Sequence, residues 1–183
     1  IREQGDAFPM IANVDGKMVV GQFGSFIHGF MQAYDGKLEE GDMIFTNDPY
    51  ACGAAVSHLN DWLCLKPGFK DGRHLCWSAH FGHMTDVGGK VPGSLPIDAQ
   101  EIFEEGVAVP PVKIVRKGEL QEDILAIVLR NSRMPHWNKG DFNGVMAACN
   151  MAERRCIEIA ERFGDDVFYS AMEDLLERNH RAM

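Results

Sequence analysis

Lys70-Asp71-Gly72-Arg73 separates two short runs of strand character, Trp62-Leu-Cys-Leu-Lys-Pro67 and His74-Leu-Cys-Trp-Ser-Ala79. Asp-Gly at the centre of a two-residue loop is the favoured type I′ hairpin turn, because both central residues must adopt positive φ. The segment therefore folds as an antiparallel hairpin, and whatever lies just outside its strands is brought together at the open end. Two acid–histidine pairs lie there, His58-Leu-Asn-Asp61 and His83-Met-Thr-Asp86. Imidazole with carboxylate is a ligand mix suited to zinc, manganese or iron(II). The competing reading is of polar strand ends satisfied by the backbone.

Geometry sets a condition on the metal reading. With Lys70 opposite Arg73 and no irregularity, Asn60 falls opposite His83, His58 opposite Thr85, and Cys64 opposite Ala79. Residues three apart in a straight strand point to opposite faces, so His58 and Asp61 cannot share an ion without a turn or a bulge. Pro67-Gly68 is a plausible bulge site, and a shift of one residue carries Asp61 onto the face of His83.

Composition narrows the partners. The net charge of −9 over 183 residues argues against nucleic acid or an anionic membrane surface. No apolar run is long enough for a transmembrane helix, and no secretory signal opens the chain. The first residue is Ile1, so the expectation is an internal portion of a longer, cytoplasmic protein. The five cysteines, at 52, 64, 76, 149 and 156, show no CxxC spacing and read as buried free thiols.

The expected fold class is α+β, with N-terminal β-hairpins and loops followed by a C-terminal helical segment. We divide the chain into a β-rich metal-site region over 1–115 and a helical region over 116–183, parts of one larger domain. Asp15-Gly16 marks another hairpin, 43–46 a buried strand, and 21–36 a loop with a short helix. Asp98 caps a short helix over 99–105, ended by Gly106, and 107–115 is extended. Helical spacing predicts helices over 119–133, stopped by Met134-Pro135, over about 141–163, and from Asp165 or Asp166 to about 180. No phosphate-binding loop of either common type is present, so ATP, if involved, binds elsewhere.

Several blocks recur together in one family: Asn47-Asp-Pro-Tyr50, Ser57-His-Leu-Asn-Asp61, Gly82-His-Met-Thr-Asp-Val-Gly-Gly89, Pro92-Gly-Ser94, Glu104-Glu-Gly106 and Pro110-Pro-Val-Lys113. Arg2-Glu-Gln-Gly-Asp6 and Ser25-Phe-Ile-His-Gly29 precede them, and Gly140-Asp-Phe-Asn-Gly144 and Ala147-Ala-Cys-Asn150 follow. In order and spacing the chain resembles the hydantoinase B family, which includes N-methylhydantoinase and 5-oxoprolinase B-type parts and α-type subunits of acetone and acetophenone carboxylases. The resemblance implies a hydantoinase A-type ATPase partner that activates substrate by phosphoryl transfer, with a later step near a divalent metal, manganese or zinc, on the B-type subunit. Carried over by motif, the ligands are His58, Asp61 and His83. Asp86 is a further ligand or a group that orients His83, and His80 either assists the site or packs.

The chain departs from the family pattern in two places. Ala54-Ala-Val-Ser57 stands where many relatives have Gly-Gly-Thr, and His83-Met-Thr-Asp86 where many have His-His-x-Asp. These variants resemble the aromatic-ketone carboxylase branch. The implied reaction is carboxylation of a small ketone with bicarbonate; the alternatives are ATP-dependent opening of a cyclic amide and a non-catalytic assembly scaffold.

Overall fold

The computed structural model describes residues 7–22 and 26–182. The Arg2–Asp6 block and Ser25 lie outside them. Among the described residues, seven antiparallel strands form one sheet: β1 (Ala7–Ala12), β2 (Met18–Val20), β3 (Met43–Thr46), β4 (Asp61–Lys70), β5 (Arg73–His83), β6 (Val112–Arg116) and β7 (Glu119–Leu120). Their spatial order is β2-β1-β5-β4-β3-β6-β7, so the predicted hairpin lies at the centre. Its turn has Asp71 at φ 51° and Gly72 at φ 73°, as a type I′ turn requires.

The strands β4 and β5 are not in simple register. Lys70 pairs with Arg73 and Phe69 with His74, but Gly68 pairs with Cys76, which leaves Leu75 as the extra residue of a bulge. From there the register is displaced by one. Cys64 faces His80 rather than Ala79, and Asp61 rather than Asn60 lies opposite His83.

Each face of the sheet is covered. Leu63, Leu65, Ala79 and Phe81 pack with Ile27 and Phe30 of α1 (Phe26–Ala33) and with Cys52, Ala55 and Val56 of the following loop. Each fully buried leucine contributes roughly 1.5–3 kcal/mol. On the other face Trp62 and Cys64 pack with Phe142, Val145 and Cys149 of α3 (Pro135–Phe163). Ser78 Oγ donates to the Cys149 carbonyl at 3.0 Å, and Lys66 reaches Glu153 at 2.6 Å. At the hairpin tip Lys70 and Arg73 both grip Asp165, the first residue of α4 (Asp165–Ala182). All five cysteines are buried and free.

The α+β expectation holds, and three local expectations are corrected. The predicted 119–133 helix is split, because Lys117-Gly118 makes a left-handed turn (φ 50° and 87°) and Gln121 N–H donates to the Ile114 carbonyl at 2.8 Å. Glu119-Leu120 thus joins the sheet, and α2 spans only Glu122–Arg130. Pro135 starts α3 instead of merely ending what precedes it. Proline at the first helical position lacks only an N–H that has no intrahelical partner there. The 99–105 helix shrinks to one 3-10 turn, Ile102–Glu104, where the Glu104 side chain folds back to accept from Gln100 and Glu101 N–H.

Candidate metal centre

The face conflict between His58 and Asp61 is resolved by a turn. Residues 58–60 precede β4, and Asp61 N–H donates to the His58 carbonyl at 3.1 Å, closing a turn that brings both side chains to one side. The bulge does the rest by pairing Asp61 with His83. His58 Nε2 lies 3.7 Å from Asp61 Oδ2, and His83 Nδ1 lies 3.4 Å from Asp61 Oδ1. The two imidazoles meet edge to face with centroids 4.9 Å apart. Among the described residues, His58, Asp61 and His83 form a cluster of potential metal ligands, one atom from each lying within 4.8 Å of the others.

These spacings exceed those of good direct hydrogen bonds, about 2.7–3.2 Å. They are nearer to the spacing of atoms that converge on an ion. With bonds of about 2.1 Å, neighbouring ligands stand about 3.0–3.4 Å apart in octahedral or tetrahedral geometry. The His83–Asp61 spacing reaches that upper limit and the His58–Asp61 spacing lies just beyond it, so a small closure of the His58 side chain would bring the three donors onto one divalent cation. Asp61 is only 6% exposed, the histidines are half-buried, and His58 Nδ1 is buried without a hydrogen-bond partner. Ser57 Oγ–H reaches Asp61 Oδ2 at 3.4 Å from the solvent side.

Asp86 is not drawn into this cluster. At 2% exposure, its Oδ1 accepts from Gly88 N–H (3.1 Å) and Arg133 N–H (3.0 Å), its Oδ2 from Gly93 N–H (2.9 Å) and the Arg133 guanidinium (2.9 Å). Burial pushes its pKa up, but these donors outweigh burial and hold it below the usual aspartate value. The same guanidinium donates to the carbonyls of Gly88, Gly89 and Val91, so one side chain ties down the glycine-rich loop that follows His83. Gly89 (φ 76°) must be glycine, since a Cβ there would lie 2.3 Å from the Glu104 carbonyl oxygen.

His80, three residues before His83, occupies the strand face covered by α3, paired with Cys64. Burial lowers its pKa, partly offset by its Nδ1 contact with the Phe81 carbonyl at 3.0 Å. Two asparagines and Arg133 complete the surroundings and escape sequence reasoning. Asn47 Nδ2 donates to the Leu59 carbonyl at 2.8 Å, and its Oδ1 accepts from Val109 N–H at 2.7 Å. Asn60 bridges to Met84 and Gly93. The available signals were Asn60 lying between the two ligands and an arginine just before Met134-Pro135.

The family model described as Hydantoinase B/oxoprolinase matches residues 3–183. The chain belongs to the hydantoinase B/oxoprolinase family. It is 37% identical over 150 residues to the caprolactamase subunit beta of Pseudomonas jessenii, covering 80% of this chain and 25% of that subunit. It is 28% identical to the acetophenone carboxylase delta subunit of Aromatoleum aromaticum, over 94% of this chain and 26% of that subunit. The crystal structure of the ATP-dependent caprolactamase from Pseudomonas jessenii superimposes with a TM-score of 0.81 at 32% identity, over 93% of this chain and 31% of that one. The chain thus spans about a quarter of the length of these enzyme subunits. No described helix is long and apolar enough to cross a membrane.

Proposed function

We propose that the chain is the metal-bearing portion of an ATP-dependent enzyme subunit that acts on a carbonyl compound activated by an ATPase partner. The convergence of His58, Asp61 and His83 carries this reading. A divalent ion held there, manganese or zinc, would polarise a carbonyl oxygen or make a bound water acidic. Asp61 supplies the negative charge and the histidines neutral nitrogens. Ser57 borders the carboxylate oxygen that faces His58, with a long contact of 3.4 Å. Asp86 acts indirectly in this proposal, holding the segment after His83 through the Gly88 and Gly93 amides. His80 stays outside the reacting region because it occupies the face toward α3.

Opening of a cyclic amide is the first reading of the reaction, and ketone carboxylation the second. The sequence motifs favour carboxylation, but 37% identity to a caprolactamase subunit outweighs 28% to a carboxylase subunit. Carboxylation stays as the second reading because the acetophenone carboxylase match extends over 94% of the chain.

The experiment uses the full-length subunit with its ATPase partner. Metal analysis is expected to find one manganese or zinc per subunit, lost in His83→Ala. Absence of stoichiometric metal from the wild type would favour the scaffold reading. Hydrolysis of a lactam or hydantoin with ATP should proceed in bicarbonate-free buffer. A strict bicarbonate requirement for ATP turnover would reverse the order of the two reactions.

A further inference from the structure

Asn60 lies inside the first acid–histidine pair, between His58 and Asp61. It is fully buried. Its Nδ2 donates to the Met84 carbonyl at 2.9 Å and to the Gly93 carbonyl at 3.2 Å, while its backbone carbonyl accepts from Met84 N–H at 2.8 Å. Met84 immediately follows His83, and Gly93 N–H is held by Asp86. One residue thus joins the turn carrying His58 and Asp61, the end of β5 carrying His83, and the loop organised by Asp86.

The orientation of the amide is fixed by its partners. Turning it over would set Oδ1 against two carbonyl oxygens, so only the NH2 group satisfies this position. An aspartate of the same shape offers no donor there when ionised, and a buried carboxylate facing two carbonyls is strongly disfavoured. The sheet register alone pairs Asp61 with His83. The Asn60–Met84 contacts extend that pairing one step beyond the strand ends, with the backbone bond from Met84 N–H joined by the Asn60 side-chain bond to the Met84 carbonyl.

We propose that Asn60 is the positioning residue of the centre: it sets the turn of the first pair against the end of β5, so that the three ligands are in place before any ion arrives. This rests on the proposed ligand role of His58, Asp61 and His83. It predicts that Asn60 controls metal affinity without touching the metal, in the 10–100-fold range that such outer contacts command elsewhere.

The test titrates the metal-free full-length subunit with Co2+ and follows its visible absorption, with Asn60→Asp, Asn60→Ala and Ser78→Ala compared with wild type. Ser78→Ala is the structural control, since it removes a buried hydrogen bond on the α3 face of the sheet. The expected result is about one Co2+ per wild-type and Ser78→Ala subunit. The folded Asn60 variants should bind at least about tenfold more weakly, with an altered cobalt spectrum. Asn60→Ala binding with wild-type affinity and spectrum overturns the inference alone. A wild-type subunit that takes up no Co2+ overturns the metal reading itself, and the inference falls with it.

If neither Asn60 variant folds, hydrogen exchange of the wild-type subunit decides. The Met84 amide segment is expected to be equally protected with and without Co2+. Protection that appears only after Co2+ is added would show that the ion orders the centre, and would overturn the inference.

Discussion

The two His-x-x-Asp segments are alike in spacing and end in opposite roles. In the first, a turn closed by Asp61 N–H to the His58 carbonyl places imidazole and carboxylate side by side. In the second, His83 is the last residue of β5 and Asp86 has left the strand, its oxygens taken by Gly88, Gly93 and Arg133. One aspartate faces the cluster, and the other anchors a loop. A spacing of three is therefore no assignment; the backbone between the two residues decides whether they can act together.

Substitution of each aspartate by alanine should separate the roles most sharply. Asp61→Ala is expected to abolish metal uptake, seen as loss of stoichiometric metal on analysis, with the far-ultraviolet spectrum preserved. Asp86→Ala leaves several donors without an acceptor and should destabilise the fold by about 3–5 kcal/mol in urea denaturation. If Asp86→Ala instead lost metal at unchanged stability, the two segments would be functional equals and the contrast would fail.

The histidines extend the comparison along β5. His83→Ala should weaken metal binding by two orders of magnitude or more, whereas His80→Ala should stay within about threefold of wild type in the same titration. Equal losses would place both histidines at the centre. A smaller effect belongs to Arg133→Lys, which keeps the charge but cannot reach the carboxylate and three carbonyls with one planar fork. We expect a loss of about 1–2 kcal/mol in urea denaturation, with metal stoichiometry intact.

The smallest effect is the pH dependence. Asp86 has a folded pKa below its unfolded value near 3.9, so its contribution is present above that value and lost as pH falls through the folded pKa. The wild type should therefore lose melting temperature below about pH 4 more steeply than Asp86→Asn. Parallel acid profiles would mean that the carboxylate charge contributes nothing.

Much of the centre could be read from local rules. Asp71-Gly72 specified its turn, Met43–Thr46 its strand, and Pro67-Gly68 announced an irregularity found one step away, between Gly68 and Phe69 opposite Leu75. The family motif supplied His58, Asp61 and His83. What stayed hidden depended on distant partners. Arg133 reads as the tail of a helix until the loop at 86–91 lies beside it. Asn60 reads as a turn residue until Met84 and Gly93 supply the carbonyls it serves. Glu119-Leu120 carries helix-compatible residues, and it was the Lys117-Gly118 turn that committed them to the sheet edge. At Pro135 one residue was compatible with both a stop and a start, and the first turns of α3 are held by Asn138 bonding the Asp86 carbonyl and Ser132, partners distant in the sequence or beyond the stop.

The bulge at Leu75 also divides the hairpin into two lengths of different register. Below it, pairing with β1 on one side and β3 on the other fixes the parity on which the ligand cluster depends. Above it, the tip from Phe69 to His74 follows the register of its turn and is held by Asp165. A probe or short peptide spliced between Asp71 and Gly72 would change the tip and its hold on Asp165 while leaving Asp61 opposite His83. The hairpin therefore offers a handle at its tip, on the far side of the bulge from the His58, Asp61 and His83 cluster.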